Sequence, residues 1–278
     1  VADATVGVNR LQAEDGMRPK ARRSRTSYRG AVVAGAAIGM LLPIAAHCQD
    51  DAARFAALFD RPALVKTVPP KSAADPTGAI ICTYYPDLMV RETGTDTPDP
   101  NTATLVALPA GTARPPCDAR QRPHAITLQT EGFGLLGRKG PFLLFSATDP
   151  NGAIPFMTID ARSGRVIFTD GTAADRSFQA VTVQNGVLHL RYTRGFNASC
   201  SIMQSAATCW SKLLTEGKIP HDMGQPVPSP ELCAASYAAE RAPADDPSII
   251  TYDVEMTIDL AGNAQTLSRG AVGCAPVP

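Results

Sequence analysis

In the stretch "ITYDVEMTID" (250–259), Ile250, Tyr252, Val254, Met256 and Ile258 fall on one side, and Thr251, Asp253, Glu255, Thr257 and Asp259 on the other. Successive side chains leave a strand on opposite faces, so strict alternation over this length predicts a half-buried strand and excludes an amphipathic helix. "VLHLRYT" (187–193) repeats the pattern, with Leu188, Leu190 and Tyr192 inward and His189, Arg191 and Thr193 outward. Shorter apolar runs at 125–129, 142–145, 154–159, 165–169 and 178–183 read as further strands. Turn signals separate them: "DPNG" (149–152), "RSG" (162–164) and "QNG" (184–186). Short connections between successive strands favour antiparallel pairing. The expected fold is therefore mainly β: an antiparallel meander, sandwich-like or propeller-like, with two or three short helices and disulfide staples.

Helical spacing is sparse. "DAARFAALFD" (51–60) places Ala52, Phe55, Ala56 and Phe59 on one face, with Asp51 as the cap and Pro62 as the stop. "SPELCAASYAAER" (229–241) opens on a serine cap with proline in the first turn. "SAATCWSKLLTEG" (205–217) is ambiguous, although Trp210, Leu213 and Leu214 share a helical face and Gly217 can end it.

One tetrapeptide, "MTID", occurs twice, at 157–160 and 256–259, each time followed by a turn containing glycine. A true repeat implies a propeller or tandem array, with "WSKLLTEGKIP" (210–220) as a degenerate third copy. In a chain of this length one identical tetrapeptide pair is expected by chance. The twins therefore predict two hairpins without establishing a repeat.

The first 48 residues read as an address. Arg18, Lys20, Arg22, Arg23, Arg25 and Arg29 precede an apolar run, Ala31–Ala46, that is 16 residues long. That is short of the ~20 residues that span a bilayer as a helix, and it matches a signal-peptide core. The expectation is translation from Met17, cleavage between Ala46 and Asp51, and a single exported β-rich domain over 49–278; the rival is a retained membrane anchor. His47 breaks the pattern that would make Cys48 a lipid-modified residue. Residues 1–48 hold 7 of the 26 basic and 3 of the 26 acidic residues, leaving 19 against 23, a charge of −4 for the exported part. A mildly acidic chain lacks the footprint of a nucleic-acid binder, and no later segment is apolar enough to span a membrane.

Six cysteines follow the leader: Cys82, Cys117, Cys200, Cys209, Cys233 and Cys274. An even count in an exported chain reads as three disulfides. Zinc is the rival, but there is no C-x-x-C and no H-x-x-x-H, so no metal and no cofactor is expected. Six cysteines allow 15 connectivities; nearest-neighbour pairing closes the shortest loops.

Chemistry-bearing motifs are few. Asp253 and Glu255 stand two apart on the outward strand face, about 7 Å between α-carbons, where paired carboxylates can serve glycoside hydrolysis. The simpler account is a solvated face, paired across the ladder with residues such as Arg191. "GFGLLG" (Gly132, Gly134, Gly137) matches a dinucleotide fingerprint, but "RKGP" follows where a helix must begin. "DTPDPN" (Asp96, Asp99, Asn101) lacks the spacing of a calcium loop. Two function classes result. The first is an exported bacterial envelope or periplasmic protein that acts as a non-catalytic binding or structural module, its partner an envelope protein or glycan. The second is a secreted glycan- or ester-directed hydrolase with a dispersed site, in which Asp253, Glu255, His189 or His221 converge in a cleft with shifted pKa values.

Overall fold

The computed structural model describes residues 53–72, 78–94, 102–118, 124–128, 130, 132–147, 152–173, 177–219 and 227–277. The leader with Cys48, the "DTPDPN" turn and His221 lie outside these residues, as do the N-cap of the first helical stretch and most of the "DPNG" turn.

The strands form two antiparallel sheets. The smaller runs β1 (Leu64–Val68), β2 (Ile80–Tyr84), β3 (Leu88–Thr93), β4 (Thr102–Ala107) and β5 (Ile126–Thr127) in chain order. The larger comprises β6 (Phe133–Lys139), β7 (Phe142–Ala147), β8 (Ile154–Asp160), β9 (Val166–Thr172), β10 (Phe178–Gln184), β11 (Val187–Asn197), β12 (Ser248–Ile258) and β13 (Ala264–Pro276). Its path is β13-β12-β11-β9-β8-β7-β6, with β10 also paired to β11. The expected meander is thus present, in its stacked, sandwich-like form.

Alternation decides what each face covers. Leu88, Val90, Ala103 and Leu105 from the small sheet pack against Leu143, Phe145, Met157 and Ile159 from the large one. The opposite face of β7 and β8 offers Phe142, Leu144 and Phe156 to Leu188, Leu190, Tyr192, Val254, Met256 and Ile258. One sheet can bury both its faces in this way only if it curls, and Val183 of β10 accordingly lies close to Gly140 at the end of β6. Phe156, Phe178 and Tyr192 fill the curl in edge-on contacts, with ring centroids 5.1 and 5.2 Å from Phe156.

The edge strand β6 is covered. A helical turn at 53–56 leads Phe59 onto the core, and the Asp60 amide donates to the Arg138 carbonyl at 2.7 Å. From the small sheet, the buried Glu92 carboxylate accepts the Leu135 amide at 2.8 Å. Both contacts occupy backbone groups that a bare edge would offer to another chain. Burial pushes the Glu92 carboxyl above its ordinary range, against the opposing pull of the Leu135 amide.

The ambiguous segment is a helix, α1 (Ile202–Thr215), and "SPELCAASYAAE" supplies α2 (Pro230–Glu240). Ser201 caps α1 by accepting the Gln204 amide. Because "WSKLLT" is helical, the degenerate third copy of the twin hairpins does not exist. Trp210, Leu213, Cys233 and Tyr237 from the helices bury Ile250 and Cys274 at one end of the large sheet. The cysteines pair as neighbours. Cys82–Cys117 ties β2 to the loop after β4, Cys200–Cys209 braces α1, and Cys233–Cys274 joins α2 to β13, with Cα separations of 5.7, 5.6 and 4.8 Å.

Candidate functional site

The twin hairpins are neighbours with different tasks. In each, the aspartate of "MTID" opens the turn and its carboxylate holds the loop. Asp160 accepts the Arg162 amide at 3.0 Å and the Ser163 hydroxyl at 2.6 Å. Asp259 accepts the Asn263 amide at 2.9 Å and its side-chain amide at 2.7 Å. Arg165 then donates to the Leu260 carbonyl at 2.6 Å, clamping the two turns together. On its other side the first turn rests on the small sheet. Gly164 has φ +70°, and a Cβ there would lie 2.6 Å from Cγ2 of Ile126 on β5, so a side chain is barred both by conformation and by space.

That contact helps shape a cleft between the ends of the sheets. Leu88, Leu105 and Ile126 contribute from the small sheet, Pro141 and Ala161 from turns of the large one, and the cleft measures about 440 Å³. Its rim carries Asp87, His124, Arg138 and Arg162. Arg138 bridges the sheets by gripping Asp87 through both terminal nitrogens, one of them at 2.9 Å, while its Nε donates to the Gly140 carbonyl at 2.6 Å. Its guanidinium also lies 5.3 Å from the Tyr85 ring centroid. Hydrogen bonding from Arg138 holds the Asp87 carboxyl below its ordinary range, with Arg162 adding a smaller pull in the same direction. Burial pushes the Tyr85 phenol up to about 12. Across the rim His124 has φ +61°, an uncommon backbone for a non-glycine residue and one that recurs at binding sites.

A second polar cluster lies within the large sheet. Asp170 on β9 accepts Nε of Arg194 at 2.7 Å, and also receives that residue's Nη2 and the Tyr192 hydroxyl. Arg194 donates Nη1 to the Tyr252 hydroxyl at 3.0 Å. Burial first, and the Asp170 charge second, push the Tyr192 phenol well above its ordinary range. The four side chains tie β9, β11 and β12 together, and Asp170, Arg194 and Tyr252 floor a shallower cleft walled by Phe196, Lys218 and Ile219.

The residues proposed from sequence as a dispersed acid–base set lie elsewhere. Asp253 and Glu255 are exposed on β12, on the face opposite buried Met256 and Ile258. Asp253 accepts the Thr193 hydroxyl at 2.7 Å and the Gln179 amide at 3.1 Å; Glu255 accepts the Ser268 hydroxyl at 3.2 Å. Register sets Arg191 opposite Glu255 and His189 opposite Thr257, so all share one strand face. None of them lines either cleft. Gly132 of "GFGLLG" lies in the turn before strand β6 and Gly134 and Gly137 lie within it, where a dinucleotide site requires a helix. Among the described residues no group of three or more His, Cys, Asp or Glu is placed to hold a metal ion.

Sequence reasoning missed Asp87, Arg138 and Arg162. Each sits beside a turn signal, but Asp87 and Arg138 are 51 residues apart. Their meeting depends on how two sheets stack, and no local pattern reports that. No protein-family model, no curated protein and no solved structure matches this chain.

Proposed function

We propose that the protein is an exported, non-catalytic binding module whose ligand enters the cleft between the two sheets. The observation that carries this reading is the chemistry of the cleft: an apolar floor of Leu88, Leu105 and Ile126 beneath an Arg138–Asp87 pair whose polar groups are already engaged with each other. Binding sites are mostly apolar concavities of ~300–1,000 Å³ with a few placed polar groups, and this cleft falls in that range. A general acid or base needs a proton to give or a free lone pair to take one. Asp87 is held ionised and bridged, which suits orientation and not proton transfer. Export is supported by three disulfides, which fit an oxidising compartment, and by the leader pattern of the sequence. No helix among the described residues is long and apolar enough to cross a membrane.

The test is a fragment screen by NMR on the intact chain, with Ala107→Trp as control. Ala107 lines the cleft and is exposed at the end of β4, so the indole closes the mouth without entering the core. The expected hits shift resonances of Leu88, Ile126 and Ala161 and vanish in the variant. Hits that persist in Ala107→Trp overturn the reading. Turnover of an ester or glycan that Asp253→Asn or Glu255→Gln abolishes would instead establish the hydrolase.

A further inference from the structure

Granted that the inter-sheet cleft is the binding site, we infer that its ligand is a small amphipathic organic anion. The acidic head meets the Arg162 guanidinium, and the aliphatic body lies on Leu88, Leu105 and Ile126.

The charges around the cleft lead to this assignment once each is followed to its partner. Arg138 is committed to Asp87 and to the Gly140 carbonyl. The neighbouring acids are occupied as well. Asp60 accepts the Gly140 amide at 2.7 Å and stands 3.8 Å from Lys139, while Asp160 is held by the Arg162 amide and the Ser163 hydroxyl. Arg162 is left as the lining cation whose side chain has no hydrogen-bond or ion-pair partner among the described residues. Among the described residues two arginines and one aspartate line the cleft, so an anionic head completes a pairing left open among them.

Arg162 is also prepared for that role. Asp160 and Ser163 fix its turn, and Gly164 seats the turn on Ile126. The backbone that carries the guanidinium therefore has little ordering left to lose on binding. Opposite it the floor is aliphatic, with Leu88, Leu105 and the half-buried Ile126 lining it, so an alkyl body finds apolar contact where a polar body finds no partner. A carboxylate and a phosphate monoester share the oxyanion chemistry, and the probes separate them.

The experiment titrates the full chain by calorimetry at pH 7 and low salt with four probes of equal tail length: octanoate, octyl phosphate, octylamine and octan-1-ol. Octanoate and octyl phosphate should bind measurably tighter than the amine and the alcohol, and the tighter of the two identifies the head group. Arg162→Ala should weaken both anions about tenfold, roughly the effect of one charge-assisted contact at a part-exposed rim. Arg162→Lys should recover part of that loss, and Ala107→Trp should abolish binding of every probe. Equal binding of the amine or alcohol, or indifference of the anions to Arg162→Ala, overturns the anion assignment. Where Ala107→Trp still blocks those probes, the cleft survives as the site. Failure of all four probes, or binding that ignores Ala107→Trp, overturns the cleft together with the anion.

Discussion

Gly137 is a position where one methyl group should change sign with its surroundings. It lies on β6, and a Cβ built there would stand 2.7 Å from Cδ1 and 2.8 Å from Cβ of Phe59. Real carbon contacts do not come so close, and Phe59 is itself buried in the core. Gly137→Ala must therefore displace the ring or the strand, an overpacking cost of about 1–3 kcal/mol. Phe59→Gly alone should cost at least the ~3–5 kcal/mol that loss of a buried phenyl ring costs. In the Phe59→Gly background the ring and the Cβ at 2.8 Å are both gone, and only the intrinsic preference of a strand for alanine over glycine remains. That preference is worth roughly 0.5–1 kcal/mol in the stabilising direction. The same substitution should thus destabilise the wild type and stabilise the Phe59→Gly variant.

The assay is urea unfolding of the four proteins of the cycle with disulfides intact. It is followed by fluorescence of Trp210, the single tryptophan and a buried one, and checked by far-UV circular dichroism for coincident transitions. Contacting residues couple by ~0.5–3 kcal/mol, whereas independent ones add within ~0.5 kcal/mol. Gly137→Ala effects of equal sign and size in the two backgrounds would refute the claim that residues 53–60 close the β6 edge through this contact.

Glu92→Gln should flatten the pH dependence of stability. The native Glu92 pKa is raised by burial, so its stabilising contribution is complete below the unfolded pKa and is lost as pH rises through the native one; urea midpoints that fall equally steeply from acid to neutral pH in both proteins would contradict this. Ile258→Ala should cost ~2–5 kcal/mol, because Ile258 is fully buried in the curl of the large sheet. Asp253→Ala, on the exposed face of the same strand, should change stability by no more than about 0.5 kcal/mol; comparable losses in equilibrium unfolding would break the two-face account of β12. The disulfides should differ by loop length: with separations of 41 and 9 residues, chain entropy gives about 3.9 kcal/mol for Cys233–Cys274 and about 2.6 for Cys200–Cys209. Paired Cys→Ala variants that reverse this order in urea midpoints would rule the loop-entropy account out.

What the sequence made legible was local, and the physics explains why. Strands β11 and β12 were visible because their outer face meets water, so burial wrote a two-residue period into them. Strand β7 was visible only as a short apolar run, "FLLF", because it is covered on both faces, by Met157 and Ile159 neighbours on one and by Phe156 and Leu188 neighbours on the other. Strand β1 left little trace, since Leu64 and Val65 are exposed at a sheet edge and no burial constrained their order. The helix α1 keeps helical spacing among its buried residues, Ile202, Cys209, Trp210 and Leu213, although its backbone is kinked at Ser205 (φ −150°, ψ 63°).

The twin tetrapeptides show where such reading ends. Both copies supply a strand end, a carboxylate to hold the turn and a glycine to complete it, and those roles follow from the residues alone. Yet Met157 faces the interface between the sheets, while Met256 faces the interior of the curl. The first turn presents Arg162 to the cleft, and the second, three residues past its aspartate, sets Gly262 so close to β9 that a Cβ there would lie 3.0 Å from the Ile167 carbonyl oxygen, and serves as a buttress. The shared tetrapeptide therefore opens both turns on an aspartate, but the turns differ in length: the Gly164 amide bonds back to the Asp160 carbonyl four residues earlier, and the Gly262 amide to the Asp259 carbonyl three residues earlier. Their surroundings differ too. Only the first set of surroundings includes the small sheet, because Gly164 touches Ile126. The chemistry proposed for Arg162 belongs to that contact between sheets, and a tetrapeptide cannot encode it.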